Sequence, residues 1–335
     1  MNISSLDWAA LDRIRDAFLA RDARRGAYWD SASDLACYDA TFGERIGWKW
    51  DAVLRELKLR RWVPPPGPVL DFGCGSGIAG RRVVAAFGAE RFTSLTLHDR
   101  SPLAEDFAAA RAGELFPGLP CIRAGGVVDD TAPVGTLVVS HVLNELPEAG
   151  RRALRSVAAR AEAIVWVEPG THADSRALLA FREGLRGSFS VVAPCTHSGA
   201  CGMASPGNER HWCHHFAEPP PSLYADSDWT RFAQRAGIDL RSLPYSFLVM
   251  AKDPAASGPV ADAAGAARII GRADHMKGFA EALVCDDSGL RELMLQKRDV
   301  PEAFKSLRDE VETPLFRLRA EGSKVRQADR WPEGR

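Results

Sequence analysis

The sequence predicts an α/β protein built on a largely parallel sheet with helices on both faces, and three observations carry that prediction. Strand-like and helix-like stretches alternate from residue 68 to about 252, as parallel strands require, because each crossover between them runs through a helix. The first strand ends in Asp71-Phe72-Gly73-Cys74-Gly75-Ser76-Gly77, a glycine-rich turn that opens a helix. Near the far end, Tyr245-Ser246-Phe247-Leu248-Val249-Met250 reads as a buried, antiparallel closing strand.

Residues 4–24 place Leu6, Trp8, Leu11, Ile14, Phe18 and Leu19 at helical spacing, and a second helix is expected over 44–61. Pro64-Pro65-Pro66-Gly67-Pro68 ends this N-terminal helical region, 1–63, since proline lacks an amide hydrogen and fixes φ. Strands are then expected over 68–71, 94–99, 120–123, 136–140 and 163–168, with helices over 81–87, 103–115, 148–161 and 173–186. A further helix over 228–236 leads to a strand within 240–252.

Between 191 and 224 periodicity gives way to Cys, His, Gly and Pro, a length of irregular chain that a compact domain keeps for function or for a bound group. The expected sheet domain is therefore 64–253, carrying this cysteine-rich insertion. In 254–335 an Ala/Gly/Pro-rich linker precedes a β-hairpin, 278–285 and 290–298, about Asp286-Asp287-Ser288-Gly289, and 316–335 reads as a basic, frayed tail.

With 335 residues, 46% hydrophobic and 26% charged, the chain can bury a full core, and its net charge of -1 gives no global attraction to nucleic acid or membrane. No run of roughly 18 apolar residues suggests a membrane span. Asp7, Asp12, Asp16 and Asp22 argue against a mitochondrial presequence, so a cytoplasmic location is expected. In a reducing compartment seven cysteines are not expected to pair as disulfides.

The glycine turn brings backbone N–H groups and a helix N-terminus close to a ligand, which a Cβ would obstruct. The following strand ends in Asp99, placed to accept hydrogen bonds from a ribose diol. The spacing Asp71-x-Gly73-x-Gly75-x-Gly77 resembles motif I of class I S-adenosylmethionine-dependent methyltransferases more than a dinucleotide fingerprint, which Gly80 does not restore. That resemblance implies a class I methyltransferase sheet. It places Asp130 near the adenine, and Ser140 and His141 beside the methyl-transfer position.

Cys195, Cys201 and Cys213 fall within the irregular stretch, and Cys285 ends an arm of the expected hairpin. Thiolates bind zinc or iron–sulfur clusters, and a distant ligand can close a four-sulfur site. The spacing alone does not choose the metal. His197, His211, His214 and His215 keep zinc open, whereas Cys37, Cys74 and Cys121 read as small packed hydrophobes.

Taken together, the glycine loop, Ser140-His141-Val142-Leu143-Asn144-Glu145-Leu146, Val167-Glu168-Pro169-Gly170-Thr171, Pro194-Cys195-x-His197-x-Gly199-x-Cys201, Trp212-Cys213-His214 and Val284-Cys285 resemble the Rsm-type mitochondrial ribosomal small-subunit assembly proteins and their bacterial relatives. The resemblance runs from about Trp48 to Arg298. It implies a methyltransferase-like fold, a [4Fe–4S] cluster on Cys195, Cys201, Cys213 and Cys285, and work on the small ribosomal subunit or its rRNA. Glu281, Asp286, Asp287 and Glu292 make the hairpin more acidic than the family pattern.

Three functions follow as expectations: an rRNA methyltransferase, a non-catalytic assembly factor that keeps the cofactor as a structural ligand, and a small-molecule methyltransferase with a zinc-stabilised lid. His141, Asn144 and Glu145 are the candidate acid–base groups, although Asn144 and Glu145 could instead cap the next helix. Arg268, Arg272, Lys277, Lys297 and Arg298 form a candidate phosphate-binding face.

Overall fold

The computed structural model describes residues 6–20, 29–129, 131–256, 258, 260–308 and 314–332. In chain order the elements are α1 (Trp8–Ala20), α2 (Ala32–Tyr38), a π-helical turn (Asp39–Gly43), α3 (Glu44–Leu59), β1 (Gly67–Phe72), α4 (Ile78–Phe87), β2 (Phe92–His98), α5 (Pro102–Leu115), β3 (Cys121–Arg123) and β4 (Thr136–Ser140). There follow α6 (Glu148–Arg160), β5 (Ala163–Pro169), α7 (His172–Leu185), β6 (Ser190–Ala193), β7 (His215–Ala217), α8 (Ser227–Ala236) and β8 (Leu243–Ala251). The last are β9 (Ala267–His275), β10 (Phe279–Asp286), β11 (Gly289–Gln296), α9 (Pro301–Arg308), β12 (Leu315–Glu321) and β13 (Lys324–Arg330). No helix among the described residues is long and apolar enough to cross a membrane.

The chain forms two compact units: Met1–Leu54, Pro64–Val167 and Ala217–Leu243 make the first, and Arg55–Val63, Glu168–Phe216 and Pro244–Arg335 the second. In the first, the strands run β3-β2-β1-β4-β5, all parallel. Val69, Leu137, Val138, Val139, Ile164 and Val165 are fully buried, as expected of strands covered on both faces. Successive strands step outward from β1 in one direction and then, after β3, in the other, so a crevice opens beyond the C-terminal ends of β1 and β4.

The helical residues that precede this sheet pack within the first unit. Arg235 of α8 grips Asp12 of α1 at 2.7 Å, Arg231 lies over the Trp8 ring, and Phe42 and Trp48 meet Phe232 and Trp229. Ser101 caps α5 through the Ala104 N–H, with Pro102 in its first turn.

In the second unit β6 runs antiparallel to β8, and β7 also pairs with β8. The remaining strands close into a barrel in the order β9-β10-β11-β13-β12. Strands β9, β10 and β11 are antiparallel in succession, β11 is parallel to β13, and β12 closes onto β9. With α9 between its third and fourth strands, this is the connectivity of an OB barrel. Ile269, Ala282, Val284, Leu293, Leu295, Phe316 and Val325 fill it, together with Val300 and Ala303 at α9.

Here the structure differs from the sequence reading. The expected linker contains β9, and the expected frayed tail forms β12 and β13. Leu315, Phe316, Leu318 and Ala320 face inward or are partly covered, while Arg317 and Arg319 face water, a period-two pattern masked by the basic side chains. Within the irregular 191–224 stretch, β6 and β7 supply short pairings.

Candidate functional site

The glycine turn stands at the crevice of the first unit. Gly73, Gly75 and Gly77 have φ of 72°, 53° and 78°, a left-handed region that other residues enter at a cost. Two of the three are also pressed by packing: a Cβ at Gly73 would lie 2.4 Å from Val142, and one at Gly77 2.8 Å from Ala108. At Gly75 a Cβ would meet nothing within 4 Å. Gly75 therefore borders open space that a ligand can enter.

Two carboxylates hold the turn and the helix that follows it. Asp99 accepts the Gly75 N–H at 3.0 Å and the Ser101 N–H at 2.9 Å. Asp71 accepts the Gly80 N–H at 2.9 Å. Burial raises the pKa of both. Ser76 Oγ is buried without a hydrogen-bond partner among the described residues.

Glu105, 2% exposed, accepts the N–H groups of Asp99, Gly125 and Gly126 at 2.9–3.2 Å. It thereby ties the end of β2 to the turn after β3. Sequence reading missed this residue, although a carboxylate on α5 facing a Gly-Gly turn is a visible signal. Asp130, expected near the adenine, lies outside the described residues.

At the end of β4, His141 has φ 56°. Lys49 Nζ lies 3.2 Å from its Nε2, and Ser140 Oγ lies 3.3 Å from its Nδ1. Trp50 Nε1–H donates to Ser140 Oγ at 3.0 Å. Burial, then the Lys49 and Arg45 cations, hold the His141 pKa well below the usual imidazole value. An ammonium donating to Nε2 would leave Nδ1 as the protonated nitrogen, facing Ser140. Asn144 is exposed in the turn that follows, and α6 has Pro147 as its N-cap with no side-chain cap bond. Neither Asn144 nor Glu145 caps that helix.

The second unit gathers all four sequence-selected cysteines. Cys195, Cys201 and Cys213 line one cavity with Arg182, Met203 and Phe247. Cys201, Cys213 and Cys285 share an apolar cluster with Met203, Ile270 and Leu290. Buried backbone contacts set their positions: Arg60 donates to the carbonyls of Val192, Pro194 and Cys195 at 2.7–3.1 Å, and Arg268 to that of Pro194 at 2.7 Å. Ser175 and Ser246 both donate to the Cys213 carbonyl at 2.7 Å. Glu56 holds the two guanidiniums together.

Burial, and then the neighbouring thiols, push Cys213 well up and Cys285 to about 12. Arg268 opposes this at Cys213, and Arg182 at Cys201 and Cys285. Among the described residues no group of three or more His, Cys, Asp or Glu is arranged to hold a metal ion. The expected metal centre, zinc or iron–sulfur, is thus not displayed as a coordination geometry. The donor chemistry nonetheless suits an anionic thiolate-bound group, with two buried guanidiniums to balance its charge.

The parallel sheet with a glycine turn at its switch point defines a class I S-adenosylmethionine-dependent methyltransferase-like fold. The chain belongs to the Rsm22 family, described as mitochondrial small ribosomal subunit Rsm22, whose model matches residues 45–312.

Among curated proteins, none is significantly similar in sequence. Among solved structures, the chain is similar to the magnesium protoporphyrin IX methyltransferase of Synechocystis with bound S-adenosylmethionine, at 12% identity over 76% of this chain and 100% of that one, TM-score 0.40. It is also similar to a methyltransferase of Thiobacillus denitrificans with S-adenosylhomocysteine, at 16% identity over 59% and 89%, TM-score 0.33. A third similar structure is an rRNA methylase of Streptococcus thermophilus, at 12% identity over 58% and 90%, TM-score 0.32.

Proposed function

We propose that this protein binds S-adenosylmethionine at the Asp71–Gly77 turn and acts in assembly of the small ribosomal subunit through contact with its rRNA. The observation that carries the reading is the family match across 45–312, which includes both the glycine turn and all four cysteines. Asp99 would take the ribose hydroxyls, Gly75 would admit the cofactor, and Glu105 would hold the Gly125-Gly126 turn beside it. Bound S-adenosylmethionine would supply an electrophilic methyl group.

Cys195, Cys201, Cys213 and Cys285 would hold a [4Fe–4S] cluster. The cluster would supply a cross-link between the cysteine-rich segment and the barrel of the same unit. Arg182 and Arg268 would offset its charge.

One observation favours an assembly role without methyl transfer. Both ring nitrogens of His141 have protein groups within hydrogen-bonding distance, so the imidazole is engaged by the protein rather than directed at a substrate proton. The test is incubation of the anaerobically purified protein with immature small subunits and methyl-labelled S-adenosylmethionine. Association of the protein without label transfer supports the assembly reading. Label in rRNA would make the protein an enzyme, and no association would refute the ribosomal role.

A further inference from the structure

We propose that one end of the C-terminal barrel is a binding site for single-stranded RNA, which deepens and rests on the rRNA reading above. The register of the hairpin sets which side chains face outward: Phe279 stands opposite Gln296, Glu281 opposite Met294, Leu283 opposite Glu292 and Cys285 opposite Leu290. The alternate set, including Ala280, Ala282, Leu293 and Leu295, is buried. This outward face of the second and third strands is the one that OB barrels use for oligonucleotides, together with the turns after strands one and four.

The face is divided. Its lower half is covered from within the unit: Leu283, Cys285 and Leu290 pack on Cys201, Met203 and Ile270, and a Cβ on Gly202 would come within 2.8 Å of the Leu290 nitrogen. Its upper half, with Phe279, Met294 and Gln296, stays partly open to solvent.

The relevant turns meet at that open end. Lys297 N–H donates to the Gly278 carbonyl at 3.0 Å, and Met294 N–H to the Ser323 carbonyl at 2.7 Å. The turn after β9, the end of β11 and the turn after β12 are therefore adjacent. Lys277, Lys297, Arg298 and Lys324 are exposed there, beside Met276, which is 42% exposed. Lys277, Lys297 and Lys324 make no ion pair among the described residues, whereas Arg326 is taken by Asp299 and Glu321, and Arg298 lies 3.6 Å from Asp299.

Apolar side chains flanked by cations match a strand whose bases are free to lie on Met276, Phe279 and Met294 while its phosphates meet the lysines. A duplex hides its bases and would use only the charges. Asp274 and Glu281 face one another across β9 and β10, and both are exposed. These carboxylates bound the cationic strip on its lower side.

The test is fluorescence anisotropy of the full chain with a labelled oligouridylate of about 12 nucleotides and a duplex RNA of equal length, at several salt concentrations. The wild type is expected to prefer the single strand. Combined Lys277→Gln, Lys297→Gln, Arg298→Gln and Lys324→Gln should weaken binding at least tenfold and flatten the logarithmic salt slope by up to roughly 3. Phe279→Ala should weaken it several-fold at unchanged slope, Glu281→Gln should strengthen it, and Lys305→Gln on α9 should leave it alone.

A preference for duplex, or wild-type affinity in the fourfold variant, would overturn the assignment. Should the fourfold variant not fold, Phe279→Ala and Glu281→Gln decide the question, and wild-type affinity in both would overturn the assignment. A pull-down separates the layers. Normal subunit association by a folded variant that has lost oligouridylate binding would overturn the barrel as the rRNA contact and leave the assembly role standing. Failure of the wild type to associate would refute that role instead.

Discussion

Asp71 accepts the Gly80 N–H at 2.9 Å with one carboxylate oxygen, while its other oxygen is buried without a hydrogen-bond partner among the described residues. A Cβ at position 80 would lie 2.8 Å from the bonded oxygen, so the contact requires glycine there. Burial, with a contribution from the Asp99 charge, lifts the Asp71 pKa from 3.8 to about 7.

A pH dependence follows from that shift. Between about pH 4 and 7 the unfolded chain releases this proton while the folded chain keeps it, so the ligand-free protein loses stability as pH rises and levels off once both states are ionised. Asp71→Asn should remove that part of the slope, on the order of 4 kcal/mol across the window. Parallel urea titrations of wild type and variant should therefore diverge with pH. Superimposable slopes would contradict the assignment.

Gly75→Val should abolish S-adenosylmethionine binding in calorimetry while costing only about 1–2 kcal/mol of stability, the price of a left-handed non-glycine residue in open space. Gly77→Ala should cost more stability, because its new methyl meets Ala108. Undiminished cofactor affinity in Gly75→Val would place the cofactor elsewhere.

For His141 the expectation is a neutral imidazole at pH 6. A folded-state pKa below the unfolded one means that its stabilisation is complete above about pH 6.5 and is lost as pH falls below it. Lys49→Met should move the pKa part of the way back, leaving the burial contribution. Nuclear magnetic resonance of labelled histidines would show this, and a normal titration near 6.5 would rule it out.

Glu56 is the shared acceptor of Arg60 and Arg268, and all three are nearly fully buried. Glu56→Gln leaves two buried cations without their counter-charge and should destabilise the protein by about 3–5 kcal/mol, read as a fall in the urea midpoint. A loss below about 1 kcal/mol would mean that the backbone carbonyls alone suffice.

Cys285→Ser should remove iron from anaerobically purified protein and leave S-adenosylmethionine affinity within about twofold. Cys37→Ser should retain the iron, since Cys37 is buried in the first unit. Full iron retention in Cys285→Ser would exclude that thiol as a ligand.

The glycine turn and the alternation of strands and helices were legible because each has a local signature: a strand, a turn that needs left-handed residues, then a helix. The four cysteines were legible as a set only by likeness to a family, since nothing in their spacing joins Cys285 to Cys201. Their contact depends on the start of β11, paired with Cys285 of β10, lying beside the Gly202 turn, a long-range packing event. Lys49 and Trp50 could not be read as site residues, because on a helical pattern they are an amphipathic cation and a core aromatic. The barrel was hidden for a different reason: Arg317 and Arg319 alternate with its interior residues, so composition spoke louder than period.

The order in which the second unit is made also matters. Arg60 is synthesised early, the loop whose carbonyls it binds much later, and Arg268 and Cys285 later still. During translation, Cys195, Cys201 and Cys213 emerge before the strands that enclose them exist. Their apolar cover is completed only when Leu290 of β11 has left the ribosome. A nascent chain that stalls within the barrel would therefore hold three thiols walled by α7 and β8 but lacking the cover of Ile270, Leu283 and Leu290.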